Sequence, residues 1–582
     1  MHFGDDEEAL AYFSILLDVL MDLRRNAKKL KSKSKPTSSK DEFTGPSIVA
    51  VLNNTGHIHY RAARYEEALA SYEESIEIRR VCSSYYHLDI ASALNSIGVV
   101  RLHSLATEDS DDLNKTLGFF VEAHSIRNAV LGHDKDRHTA TVFNNIGRVK
   151  YLTEHYRDAF AFYSLSCDVR ETVLGSSHLD FAATLNNMAQ ASNMFKDHRA
   201  ALSLYEEYLD IVSAKKGMKH VDVASAVRRM AEVHEDAGNL TEAKQYYLQA
   251  IKFYRETAGE VDFEISSIFN KLGNILYIQN DFDKAIDLYQ QGLRIERQIY
   301  DGPNANVAIT FLNIARIYQT KGDVEDAIAH YLGAANIQRS LGETEAMNLA
   351  CTVTNMGLLL DDCTLFHSAI EAYEEVLSLQ EKHLGKSHFE VSSTLNFMGM
   401  ANYKIGSLDL ALKHFSECLS IRRASPDSTN NDIATVLYNL GSVQVDIGNS
   451  GEAVRCFTQC ATLEKSSAKI KYTNLLSTLK RLGRVHLKRS ESSAALQCFK
   501  DAVDICRTNE GHAIKAQLPI FLRLVGNCHL GLNQREEAMT AFCDGMRASR
   551  EIGINEVESL VDVPLDYYLM STIKANQCAA AA

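Results

Sequence analysis

Residues 184–211 read TLNNMAQASNMFKDHRAALSLYEEYLDI, and a variant of the same phrase, FNNIGRVKYLTEHYRDAFAFYSLSCDVR, occupies residues 143–170. The doubled asparagines Asn144–Asn145 return in it as Asn186–Asn187. Asparagine is a mediocre helix former because its amide competes for nearby backbone groups. A doubled asparagine in an amphipathic helical pattern, used again one phrase later, asks for a reason outside the helix.

The interval runs through the chain. With Gly56 as a marker, equivalent small residues follow at Gly98, Gly147, Ala189, Ala231, Gly273, Ala315, Gly357, Gly399, Gly441, Gly483 and Gly526. Nine of the eleven steps equal the interval from Asn144 to Asn186. The step from Gly98 to Gly147 is longer and absorbs an acidic insertion around ATEDSDDLN, and the last step is longer by one. Twelve places after the marker stands alanine in eleven cases of twelve, the exception being Thr116 once a six-residue insertion is removed. Four places further on stands an aromatic every time, among them Tyr72, Phe120, Tyr205, Tyr289, Phe415 and Phe542. That i, i+4 spacing puts alanine and ring on one face of a second helix. Each unit therefore reads as helix–turn–helix, turning at phrases such as DAGNL, TKGDV and KIGSL.

Small marker, alanine and aromatic together resemble the tetratricopeptide-repeat pattern, over residues 47 to 550 and twelve units. The period departs from the usual 34, and the family's early tryptophan is replaced by Leu52, Val227 or Phe269. The longer period, with phrases such as LGSSHLDFAATLNNMA and LGKSHFEVSSTLNFMG, is similar to the 42-residue repeats of kinesin light chains and nephrocystin-like proteins. The resemblance implies an all-α, right-handed superhelical solenoid of about twelve helix–turn–helix repeats.

At about 100° per residue, positions −4, −1 and +2 from the marker share one arc, and −4 and +2 are apolar in all twelve repeats. Positions −6, −3, −2, +1 and +5 share the opposite arc, which in tetratricopeptide solenoids lines the concave groove. Asparagine fills six −3 places (Asn53, Asn95, Asn144, Asn186, Asn270, Asn396) and six −2 places (Asn54, Asn145, Asn187, Asn313, Asn355, Asn439). With 33 asparagines in the whole chain, 24 random places would hold about one or two. One amide offers an acceptor and two donors, enough to pair with both N–H and C=O of a peptide. The resemblance implies a ladder that grips an extended backbone. The alternative is that the asparagines hydrogen-bond between adjacent repeats and stabilise stacking. Position −6 is usually small (Ala50, Ser92, Ala183, Ser225, Ser393, Ser477), which keeps a groove open.

Charge adds a second pattern. In repeat eleven Lys480, Arg481, Arg484 and Lys488 occupy −3, −2, +1 and +5; Arg523 continues them in repeat twelve, and Arg228 and Arg229 make a smaller patch in repeat five. Like charges on one helix face repel, so an acidic peptide segment is the expected ligand. Arg148 joins the candidate set beside Asn144 and Asn145. A clamp for a terminal carboxylate, as in chaperone-binding relatives, matches only in fragments (Arg523 with Asn527; Asn144 and Arg148 with Asn187 and Arg229), so that role is not expected.

The net charge of −14 argues against a general nucleic-acid binder, and no window is apolar enough to insert in a membrane. Twelve cysteines without a C-x-x-C pair point to buried thiols in a reducing, cytoplasmic compartment rather than disulfides or zinc. The GKS triplet of LGKSH lacks the earlier glycine of a P-loop, Gln380 standing there. His133, His138, His178 and His388 recur at one inter-repeat joint, which favours capping over metal binding. No catalytic motif appears, and no enzyme activity, metal or cofactor is expected.

The expected layout is a helix over 1–30, a basic Ser-rich linker over 31–46, twelve repeats over 47–550, and a capping helix with tail over 551–582. The expected function is a protein-interaction scaffold or adaptor that binds extended acidic segments in its groove. One alternative is a kinesin light chain with a heavy-chain partner and cytoskeletal association, although the leader lacks sustained heptads. The other is a structural array whose groove is filled by its own leader.

Overall fold

A computed structural model describes residues 9–22, 41–82, 87–104, 110–467, 470–509 and 511–552. The linker from 31 to 40 and the expected capping helix beyond 552 lie outside them. Among the described residues the chain is all-α: twelve helical hairpins, from Asp41–Arg61 with Tyr65–Cys82 to Leu518–Gly531 with Arg535–Ile552. The first of these helices starts at Asp41, inside the stretch read as linker. The hairpins fall into two compact units, Met1–Ile299 with repeats one to six and Tyr300–Ala582 with repeats seven to twelve.

The marker works as the spacing requires. At the nine glycine markers a Cβ would stand between 2.3 and 2.9 Å from the nearest ring carbon of the repeat's own aromatic. Ring and first helix are in contact because nothing intervenes. The alanines four places earlier are all fully buried, and Thr116, 1 % exposed, satisfies its hydroxyl on the Asp112 carbonyl at 2.8 Å. Three tyrosine rings also bond the first helix through their hydroxyls: Tyr247 to Glu235 (2.6 Å), Tyr289 to Asn274 (2.5 Å) and Tyr331 to Gln319 (2.8 Å).

In the hairpins whose turn is among the described residues, the turn needs one left-handed residue, seven places after the marker. Glycine supplies it at 238, 322, 406 and 448, but Ala63, Glu154, Lys196, Asn280, Thr364, Ser490 and Asn533 hold it at φ between 57° and 67°. For a β-branched residue such as Thr364 this is the least comfortable. At the joint between repeats His178 and His388 cap the next helix, Nδ1 accepting from the N–H of Asp180 (3.0 Å) and Glu390 (3.2 Å). His133 accepts from Lys135 N–H at 3.2 Å, whereas Asp136 rather than His138 caps helix Arg137–Leu152. The leader helix over 9–22 packs Leu17, Leu20 and Met21 on Ile48, Val49, Leu52 and Ile78 of the first repeat.

A further periodic feature had no sequence expectation. Twenty-three places after the marker, with the insertion removed, the second helix buries Arg79, Arg127, Arg170, Glu296, Gln338, Gln380, Arg422 and Glu464. Several of these side chains bridge hydroxyls and carbonyls of first helices. Arg170 reaches Thr184 Oγ1 and the Asp180 carbonyl, both at 2.6 Å. Gln380 accepts from Thr394 Oγ1 at 2.7 Å. Arg422 donates to Ser392 Oγ (3.2 Å) and the Asp432 carbonyl (2.8 Å), and Glu296 accepts from Ser266 Oγ at 2.7 Å. Buried polar groups are tolerable where they are bonded.

Candidate functional site

Within each unit, successive first helices meet in a fixed register. Position −3 of one repeat faces −2 of the next. Asn145 Nδ2 donates to Asn95 Oδ1 at 2.8 Å, Asn187 to Asn144 at 3.0 Å, and Asn439 to Asn396 at 3.1 Å. Seven places further along the helix, +4 faces +5 in the same way: Asn193 Nδ2 to Asp236 Oδ2 (2.6 Å), Tyr403 Oη to Asp446 Oδ2 (2.5 Å), and Lys404 Nζ to Asp361 Oδ2 (2.7 Å). At the opposite end Arg137 pairs with Asp180 at 3.3 Å. The repeats are stitched along their first helices once every two turns.

The asparagine places are thus part of a seam. A net gain of about 1 kcal/mol per bond is the usual scale. Asn187 and Asn144 keep capacity, the donor its carbonyl oxygen and second hydrogen and the acceptor its NH2, whereas Asn145 and Asn396 are buried and Asn396 Nδ2 also donates to Met400 Sδ at 3.9 Å. Asn53 is half-buried with its Oδ1 unpartnered, Asn54 and Asn355 are exposed, and Asn186 and Asn313 are half-buried. Asn270 donates to Glu296 at 3.3 Å. The small side chains at position −6, among them Ala50, Ser92, Ala183 and Ser477, are exposed beside the seam.

The two basic patches differ in kind. Arg228 is ion-paired to Glu232 and, at 3.3 Å, to Glu264. Burial lowers its pKa, but the two carboxylates outweigh that and the net shift is upward. Its charge is already answered. Arg229 hydrogen-bonds to Tyr205, and Arg148 is exposed. In repeat eleven no described carboxylate pairs with Lys480, Arg481, Arg484 or Lys488. Burial, then the charges of Arg484 and the buried Arg523, push the Lys480 ammonium below its usual range. Arg481, Arg484 and Lys488 are exposed, and the Arg481 guanidinium lies 5.8 Å from the centre of the Tyr438 ring across the seam.

Beside this patch lies a cavity of about 240 Å³ lined by Thr435, Tyr438, Glu464, Asn474, Ser477 and Thr478. Glu464, one of the buried polar column, was missed by the sequence reading because its position carries no common residue type. Among the described residues no cluster of His, Cys, Asp or Glu could hold a metal ion, and no helix is long and apolar enough to cross a membrane.

Hairpins stacked through their first helices, with an exposed face left along them, define a helical-repeat interaction protein. Family models agree on which kind: a MalT-like TPR region matches residues 173–336, and tetratricopeptide-repeat models match 306–382 and 390–466, and 49–82 and 139–180. The chain belongs to the tetratricopeptide-repeat proteins. Among solved structures it is similar to BtubC (BKLC) from P. vanneervenii, at 19 % identity over 40 % of this chain and 92 % of that one, TM-score 0.35. A putative kinesin light chain of Podosopora anserina with nearly identical TPR-like repeats shows 13 % identity over 36 % of this chain and 97 % of that one, TM-score 0.32. MamA protein shows 18 % identity over 35 % and 93 %, TM-score 0.28. No curated protein matches the chain.

Proposed function

We propose that the chain is a scaffold whose first-helix face takes extended, acidic segments of other proteins, with the strongest site on repeats ten to twelve. One observation carries this reading: Lys480, Arg481, Arg484 and Lys488 share one helix face without a carboxylate partner among the described residues. An acidic segment lifts their mutual repulsion. The half-buried amide of Asn439, in the same unit, donates once to Asn396 and keeps its carbonyl oxygen and second hydrogen for the segment's backbone.

The test uses a fluorescent twelve-residue peptide of Asp, Glu, Ser and Gly on the full chain, beside a variant with Lys480, Arg481, Arg484 and Lys488 all changed to Ala. Binding that weakens at least tenfold in the variant, and falls with added salt as screening requires, is expected. Equal binding by both proteins sinks the proposal. A pull-down with Asn144, Asn145, Asn186 and Asn187 changed to Ala then separates the two roles of the asparagines. Partners lost at unchanged melting mark ligand contacts; unchanged partners at lower melting mark stitching alone. A motor heavy chain among those partners would favour the kinesin-light-chain reading.

A further inference from the structure

The buried polar column is satisfied by protein groups at Arg170, Gln380 and Arg422. Glu464 departs from that. It is 6 % exposed, its contacts are with Thr478 and Cys460, and its Oε2 is buried without a hydrogen-bond partner. Gln338 leaves its Oε1 unpartnered too, but an amide has no charge to balance. In front of Glu464 is open space, the cavity of about 240 Å³. This is below the roughly 300–1,000 Å³ of pockets that take whole small molecules, and suits one side chain. Its exposed lining residues are Asn474 and, at position −6 on the face proposed to hold the ligand, Thr435 and Ser477.

The lining decides what can enter. Hydroxyls of Thr435, Tyr438, Ser477 and Thr478, the Asn474 amide and the Glu464 carboxyl provide oxygen acceptors, and among the described residues none in the lining is cationic. An anion would be repelled by the carboxylate. An apolar group would leave the Glu464 charge unanswered. An ammonium donates three N–H groups and brings the opposite charge that a buried carboxylate needs. We infer that this cavity is a subsite for a lysine side chain of the bound segment, its ammonium paired with the Glu464 carboxylate, while neighbouring acidic residues of that segment lie over Lys480, Arg481 and Arg484.

The inference rests on the acidic-segment reading and makes it more specific: the ligand is acidic with one lysine at a fixed place. Burial, partly offset by the Thr478 and Cys460 hydrogen bonds, holds the Glu464 carboxyl above the usual carboxylate range without a ligand. That is the behaviour of a group waiting for a cation.

The experiment walks one lysine through each position of the acidic twelve-residue peptide, with norleucine as the uncharged control, and measures binding to the full chain by fluorescence polarisation. One register should prefer lysine to norleucine by about tenfold, the scale of one charge-assisted hydrogen bond. That preference should fall to about one in Glu464→Gln, while the lysine-free peptide binds both proteins alike. Because Glu464 is buried, Ser477→Leu supplies a second variant that blocks the cavity from the exposed side and should erase the same preference. If the lysine-free peptide binds but no register prefers lysine, or the preference survives both variants, the subsite is overturned and the groove reading stands. If no acidic peptide binds at all, both fall.

Discussion

Changing Gly483 to Ala puts a methyl carbon 2.4 Å from Phe499 Cε1 and 2.5 Å from its Cζ. Carbon atoms prefer about 3.5–4.0 Å, so the ring edge must retreat by about 1 Å. Phe499 is fully buried, in a cluster with Leu475, Leu476, Leu479, Ala495 and Ala502, so its retreat presses on that cluster. Overpacking of this kind costs about 1–3 kcal/mol. Against it stands the helix-propensity gain of alanine over glycine, about 1 kcal/mol. The clash wins, and a net loss of about 1–2 kcal/mol is expected. Repeats four, five and seven carry Ala189, Ala231 and Ala315 against Tyr205, Tyr247 and Tyr331, so the backbone can be spaced more widely when the whole repeat is built for it. The cost in repeat eleven is therefore one of repacking. Long arrays need not unfold in one step, so the assay is native-state hydrogen exchange on helices Tyr472–Lys488 and Ser492–Thr508. Their slow amides should exchange about 5- to 30-fold faster, with first-unit amides unchanged. Unchanged or slower exchange in repeat eleven would refute the claim that the marker is small because the ring touches it.

Thr364→Gly removes a β-branched residue from φ 63° at an exposed turn, and should raise stability by about 0.5–1 kcal/mol after glycine's entropy cost; a lower urea midpoint would count against it. Burial lowers the pKa values of His59, His87 and His414. The stability they contribute is then complete above the ordinary histidine value near 6.5 and is lost as pH falls below it, so melting should drop between pH 7 and 5, and His414→Gln should flatten the drop. Identical pH profiles would dismiss the idea. Burial pushes the Cys460 thiol up to about 12 and Cys506 up to about 11, whereas Cys351 is exposed; mass-spectrometric mapping should find Cys351 alkylated in the native state and Cys460 only after unfolding. Arg228→Ala should leave acidic-peptide binding within about twofold, because Glu232 and Glu264 already neutralise that charge; a tenfold loss would show the first unit to be an anion site as well.

Much of the fold was legible because the residues that set it act within one repeat. A glycine at 56 and a ring at 72 need only a hairpin to meet, so a constant spacing exposes them. The asparagine seam was half legible. A helical wheel places −3 and −2 on the correct face, but it treats each helix alone, and the bonds run between helices, from Asn144 to Asn187 and from Asn396 to Asn439, one place beyond the period. That extra place belongs to the register between two neighbouring helices, which a single wheel does not contain. The patches at 228 and 480 looked alike in sequence because the carboxylate that quiets Arg228 from outside its own helix, Glu264, lies in the following repeat. The buried polar column was invisible because its residue types range from Arg170 to Cys506, and only the position repeats.

That column also says something about descent and redesign. Where it carries Arg170, Gln380 or Glu464, the following first helix presents Thr184, Thr394 or Thr478. Where it carries Val212 or Tyr254, the same place in the next repeat is Ala226 or Ile268. Arg170, Glu296, Gln338, Gln380 and Glu464 are each followed by threonine at that place, whereas Arg79, Arg127 and Arg422 are followed by Ala93, Val142 and Val436. Were repeats four and eight exchanged, Gln380 would meet Ala226, leaving a buried amide without its donor at about 1–3 kcal/mol, and Thr394 would meet Val212. At the threonine-matched joints the order of the units is written in their interiors, so an array shuffled there would keep every family signature and still lose cohesion.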